Sequence, residues 1–172
     1  MNKNDLKNRK QNRLDSFHYD SGYFFVTINT KDHQKVFGEV LGDEMILNEY
    51  GKIVKEYWIN INKVYSNVSI GNFIIMPNHM HGIIIIDNVG ELIKLPSNKN
   101  GKIISSPTNK LSNIIKGFKQ SSGKVIREMG LKTFQRQRSF YDHIIRNEND
   151  MNRVVEYIQI NPYKRENDEY YR

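Results

Sequence analysis

Four side chains have types and spacings that could do chemistry together: His79, His81, Tyr157 and Asn161. The histidines flank Met80 at the start of an apolar run. Residues two apart on a strand project from one face, so two imidazoles can meet one ion while Met80 points into the opposite layer. Neutral imidazole is a good ligand for transition metals. On spacing alone, a His-x-His pair is more often a surface or core pair than a metal site. The aliphatic run Ile83 to Ile86 places this one on a buried strand, where imidazoles without partners are costly. Gly82 and Ile83 add no Asp or His of the kind a zinc hydrolase needs. His143, later in the chain, fits equally as a ligand, a phosphate contact or a structural residue.

Tyr157 and Asn161 are four apart on an expected helix, and so share one face. If that face packs beside the histidine strand, Asn161 offers its carbonyl oxygen as a third ligand and Tyr157 reaches a metal-bound phosphate. A phenol with its ordinary pKa of about 10 is a poor nucleophile unless the phosphate is polarised or the phenolate stabilised. Taken alone, a Tyr on an amphipathic helix is usually core or interface, and the chain has ten tyrosines. Tyr141, beside His143, is the competing nucleophile. It falls on a strand without an i+4 ligand partner, which favours a structural or DNA-contacting role.

The elements that must position these groups follow from hydrophobic pattern and punctuation. Tyr23 to Ile28 is aromatic and β-branched, a strand. Residues 36–47 read as a hairpin turning at Gly42-Asp43. Asn48 can cap a helix to about Asn60 that buries Ile53, Val54, Tyr57, Trp58 and Ile61. Val68 to Met76 and His79 to Ile86 are strands separated by Pro77-Asn78. A helix from about Asn109 to Met129 buries Ile114, Ile115, Phe118, Val125 and Ile126. A strand over Phe134 to Ile145 and a helix over Glu148 to Ile160, closed by Pro162, complete the order. Without the hairpin and the last helix this is β-α-β-β-α-β. The expected class is α+β: a ferredoxin-like or RRM-like split plan with an antiparallel sheet, an inserted β-hairpin and a C-terminal helix carrying the tyrosine. Such a fold serves many functions, so function rests on the site.

Length and composition set the bounds. The 172 residues suit one domain with a real core, and the absence of cysteine excludes disulfides, zinc-thiolate sites and thiol nucleophiles. Residues 1–18 are polar and basic with no apolar stretch behind them, which suggests a flexible arm rather than a secretory signal. Residues 88–108, rich in Asn, Ser, Pro and Lys, suggest a mobile loop, and 164–172 a tail. No apolar run approaches the roughly 20 residues that span a bilayer. These features point to a cytoplasmic, nucleoid-associated protein without membrane contact.

Net charge is +7, but its placement matters more: Gly101 to Arg146 holds ten Lys/Arg against two acids, while 14–100 is mildly negative. Concentrated positive charge suits phosphate-backbone binding, and a solvated basic helix face would look the same. Lys116, Lys119, Lys124, Arg136, Arg138 and Arg146, with His143, are the candidate DNA contacts. Phe118 or Tyr141 could stack on bases.

The strings MPNHMHGIII and SFYDHIIRNENDMNRVVEYIQINP resemble the two signature segments of the REP-associated tyrosine transposases, within the HUH single-tyrosine transposase family. YDSGYFFVTINTKD, VFGEV, GDEMILNEYGKIV and LSNIIKGFKQSSGK are similar to further stretches of the same group. The resemblance runs from about Asp15 to Tyr163, so residues 19–163 are identified as the HUH domain. One departure is Phe134 before Gln135-Arg136, where many relatives carry Trp.

The resemblance implies Tyr157 as nucleophile and His79, His81 and Asn161 as ligands of a Mg²⁺ or Mn²⁺ ion. It implies transesterification of single-stranded or hairpin-forming repeat DNA: a 5′-phosphotyrosine forms, a 3′-OH leaves, and a second 3′-OH can rejoin the strand. It also implies a possible homodimer that exchanges the tyrosine helix, although a monomer on one hairpin would serve. The rival reading is a non-catalytic single-stranded nucleic-acid-binding module of RRM-like fold. A replication initiator or relaxase shares the chemistry, but usually places the tyrosine differently and carries further domains.

Overall fold

The structure, a computed structural model, describes residues 21–87 and 111–163. The arm at 1–18, the loop at 88–108 and the tail at 164–172 lie outside the described residues.

Strands β1 (Gly22–Asn29), β4 (Val68–Ile75), β5 (His79–Ile86) and β6 (Tyr141–Ile145) form one sheet in the order β4-β5-β1-β6. Every neighbouring pair is antiparallel. Strands β2 (Gly38–Leu41) and β3 (Glu44–Leu47) form a separate hairpin, and Gly42 at its turn has φ 59°, the left-handed region that suits glycine. The helices are α1 (Glu49–Ile59), a one-turn α2 (Ile61–Val64), α3 (Leu111–Glu128) and α4 (Glu148–Ile160). The expected split β-α-β-β-α-β plan, with its inserted hairpin and C-terminal helix, is what the chain adopts.

The sheet is covered on both faces, which explains why its central strands are apolar almost throughout. Phe24, Val26 and Ile28 of β1, with Met80, Ile84 and Ile86 of β5, face Val54 and Trp58 of α1 and Ile114, Phe118 and Ile126 of α3. The alternate residues, Phe25 and Ile83 with Ile145, face Val154 and Ile158 of α4. The two-residue period thus sorts β5 into an even-numbered face toward α1 and α3 and an odd-numbered face toward α4. His79 and His81 are odd-numbered. Ile53, Tyr57 and Val125, expected inside, are half-buried.

Gly82, between His81 and Ile83, is required by close approach. A Cβ there would lie 2.5 Å from Cζ2 of the Trp58 ring, so the bare backbone is what seats α1 on the sheet. Helix α1 is capped by Asn48, whose Oδ1 accepts from the Gly51 N–H at 2.9 Å. Helix α4 is capped the same way, Asn147 Oδ1 accepting from the Asp150 N–H at 2.9 Å.

One element departs from expectation. The strand expected over 134–145 is regular only at Tyr141–Ile145. Residues 134–140 instead run irregularly across the end of β1, held by the Thr30–Arg136 bridge and by the Gln137 N–H donating to the Asn29 carbonyl at 3.0 Å. Phe134 is buried and Arg136 turns inward onto the Phe118 ring, which anchors the segment to α3 rather than along a neighbouring strand. No helix among the described residues is long and apolar enough to cross a membrane.

Candidate active site

Register across three strands brings the polar groups together. On the α4 face, Thr27 of β1 lies opposite His81 of β5 and also opposite Tyr141 of β6, while Asn29 lies opposite His79. Both histidines are fully buried. The His79 Nδ1 lies 2.7 Å from Asn78 Oδ1, which can only accept, so Nδ1 donates and Nε2 is the atom turned toward His81. His81 Nδ1 is 2.9 Å from Thr27 Oγ1. With both Nδ1 atoms anchored, the two Nε2 atoms face each other at 3.1 Å.

Helix α4 adds the phenol. Tyr157 Oη lies 3.3 Å from His81 Nε2, and the two rings meet at 5.0 Å between centroids. Phe25 stacks on His81 at 5.4 Å and presents its face to the edge contact with Tyr157 at 5.9 Å, so both functional rings rest on one apolar platform. Asn161 caps the C-terminus of α4, one turn beyond Tyr157, and is buried. Among the described residues no three His, Cys, Asp or Glu side chains cluster as a metal site. The donor set to be tested is therefore two imidazoles and an amide. The two imidazoles fit: Nε2 atoms this close need a proton or a cation between them. Metal–nitrogen bonds of about 2.1 Å at a right angle put the two nitrogens about 3 Å apart.

Tyr157 opens onto a cavity of about 590 Å³ that also takes in Tyr141, His143, Arg146, Asp150 and Arg153. His143 Nε2 lies 2.9 Å from Asp150 Oδ2, which also accepts from the Arg146 backbone N–H at 3.3 Å. Desolvation alone would raise the Asp150 carboxyl. The His143 bond and the Arg146 N–H outweigh it and hold the group below its ordinary value.

The candidate DNA contacts do not form one surface. His143 and Arg146 line the tyrosine cavity. Lys116, Lys119, Arg136 and Arg138 line a second groove, between α3 and residues 134–140. Lys124 lies apart from both, exposed and 3.8 Å from Glu128. Phe118, considered for base stacking, is buried in the core beneath Arg136 and cannot stack, whereas Tyr141 is exposed. Sequence reasoning missed Thr27, Asn78, Phe25, Asp150 and Arg153. Asn78 adjoins the histidine pair and Asp150 lies three residues past a helix cap, so both carried a local signal. Thr27 and Phe25 reach the site only through strand register.

No known protein-family model matches the chain. A Haemophilus influenzae protein, described only as uncharacterized, is 35% identical over an alignment of 179 residues covering 96% of this chain and 94% of its own. Among solved structures, a REP-associated tyrosine transposase bound to a REP hairpin matches with a TM-score of 0.53 and 21% identity, over 89% of this chain and 73% of that one. A transposase candidate from Deinococcus radiodurans matches with a TM-score of 0.50 and 12% identity, over 86% of this chain and 95% of its own.

Proposed function

Because the chain belongs to one family with the Haemophilus protein and has the fold of the REP-associated tyrosine transposases, we propose that it is a transposase-type enzyme. It is a single-stranded DNA endonuclease and strand transferase with Tyr157 as nucleophile. The observation that carries this reading is the chain of contacts at one sheet end: Tyr157 Oη to His81 Nε2 at 3.3 Å, and His81 Nε2 to His79 Nε2 at 3.1 Å. His79, His81 and Asn161 would hold a divalent ion, Mn²⁺ or Mg²⁺; the two imidazoles favour Mn²⁺. Such an ion, when bound, polarises the scissile phosphate.

The chain's own groups supply the rest. The Tyr157 oxygen bonds to phosphorus, the bond to the 3′-oxygen breaks, and the phenol proton is lost while the departing oxygen gains one. The strand's 5′ end stays on Tyr157 as a phosphodiester, ready for a second 3′-OH. Arg146 and Arg153 put positive charge along the cavity, beside His143, where the flanking backbone would lie. Tyr157 and both histidines come from one chain, so a single copy suffices for attack. Hairpin DNA is the substrate class, taken from the REP hairpin held by the structural relative. An RRM-like module that stacks bases on an open sheet is disfavoured, because α4 covers that face.

The test is to incubate protein, Mn²⁺ and labelled single-stranded hairpin DNA and look for an adduct that survives denaturation. Wild type and Tyr141→Phe form it, and Tyr157→Phe does not. An adduct formed equally by Tyr157→Phe removes the assignment.

A further inference from the structure

The groove between α3 and residues 134–140, about 360 Å³, shares no residue with the tyrosine cavity. Five cations line it, Lys116, Lys119, Arg127, Arg136 and Arg138, and among the described residues no carboxylate does. Arg136 is the unusual member. Its guanidinium sits 4.8 Å from the ring centre of Phe118, 5.3 Å from Phe37 and 5.6 Å from Phe134. Nη2 donates to Ser122 Oγ at 3.1 Å, while Nε and Nη1 are buried and meet no acceptor among the described residues. Lys119 Nζ donates to the carbonyls of Gln137 and Ser139 at 2.9 and 2.8 Å, which leaves one N–H of its three.

Two neighbouring, desolvated cations without an anion are costly, and cation–π contact offsets only part of that cost. The exposed Lys116 and Arg138 at the rim add charge of the same sign. Neutral hydrogen-bond acceptors would not answer a concentration of five positive groups; a multivalent oxyanion would. The segment that carries Arg136 and Arg138 is also tied to the sheet end beside the histidines, because the Gln137 N–H bonds Asn29, the partner of His79 in register.

We propose that this groove is a second phosphate-binding site, which grips the backbone of the DNA strand away from the phosphate that Tyr157 attacks. This inference rests on the DNA-processing reading above, and its ligand chemistry is a phosphate group. A strand leaving the tyrosine site over the Asn29–Gln137 end of the sheet would enter it. The groove thus sets which stretch of flanking DNA is held while the chemistry proceeds.

The test measures binding of labelled hairpin DNA by the full chain across a salt series, in a Tyr157→Phe background so that no strand is cut. Lys116→Gln/Arg138→Gln removes two exposed rim charges. The expected result is about tenfold weaker binding and a log-affinity against log-salt slope shallower by roughly 1.5, since each phosphate that a cation no longer neutralises reduces it by about 0.7–0.9. Lys55→Gln, exposed on α1 and outside the groove, should leave the slope unchanged. Arg136→Lys, which keeps the charge but not the fork, should weaken binding without unfolding, checked by thermal melting. An unchanged slope in the double variant, or an equal loss in Lys55→Gln, overturns the proposal. A third arm adds millimolar inorganic phosphate alone. Thermal stabilisation of wild type but not of the double variant, with DNA binding unmoved, would show a small-anion site and overturn the strand role. Adduct formation by Tyr157 is measured separately. A slope change without any adduct would fail the chemistry and keep the groove; an adduct without a slope change would do the reverse.

Discussion

Thr27 anchors the His81 ring. Its Oγ1 sits 2.9 Å from Nδ1, and the opposite nitrogen, Nε2, is the atom nearest His79 and Tyr157. In the proposed site a divalent ion on Nε2 would take the place of the Tyr157 contact there. Partners of this kind fix ring orientation and ligand basicity, and removing one typically costs about 10–100-fold in metal affinity. Thr27→Val keeps the shape of a buried side chain and removes the hydroxyl. Titration calorimetry with Mn²⁺ should show affinity lower by about 10–100-fold, with a lowered melting temperature because the buried His81 Nδ1 loses its partner. Equal affinity in the variant would mean that Thr27 does not orient the ligand.

Two elements hold the geometry, and each can be loosened without touching the reacting groups. Helix α4 is stitched to β6 by Asp150, whose backbone N–H bonds the Asn147 cap while its carboxylate accepts from His143 and from the Arg146 N–H. A carboxylate held below its ordinary value contributes stability that is present above the unfolded pKa of about 3.8 and is lost as pH falls through the folded value. Thermal melts of wild type and Asp150→Asn should thus differ at neutral pH and converge below about pH 3.8. A constant gap across that range would rule out the linkage. Strand β5 depends on Gly82. Gly82→Ala drives a methyl into the Trp58 ring, and overpacking of this kind costs about 1–3 kcal/mol. A lower melting temperature with weaker Mn²⁺ binding is expected, since His81 is the next residue. Much of this was legible in the sequence. His79, His81, Tyr157 and Asn161 are ambiguous by type and spacing and are singled out through the family resemblance, and the order of strands and helices follows from hydrophobic pattern. What stayed hidden was non-local. Thr27 meets His81 across 54 positions of chain, a contact that only register creates. Arg136 reads as a solvent-facing charge in the sequence, whereas three phenyl rings hold it inward.

At the scale of the whole molecule, the α3 groove gathers five cations and, among the described residues, no carboxylate, so the protein's proton balance should report whether an anion is bound. Burial, helped by the neighbouring Arg136 charge, lowers Lys119 from 10.5 to about 8; burial likewise lowers Arg136 to about 9. For a cation lowered on folding, the charged native form is disfavoured. The penalty is full below about pH 8 and is relieved as pH rises toward the unfolded value, so stability should climb between those limits. An anion in the groove reverses the balance by favouring the charged ammonium, which raises the Lys119 pKa. DNA binding should then take up protons near pH 8, where roughly half of the free protein's Lys119 is neutral, and take up almost none from this group at about pH 6.5. Affinity should accordingly weaken as pH rises through about 8. Calorimetry of hairpin binding in two buffers of different ionisation enthalpy measures that uptake directly. Lys119→Gln should abolish the component near pH 8. Undiminished uptake near pH 8 in Lys119→Gln would show that the proton does not go to Lys119.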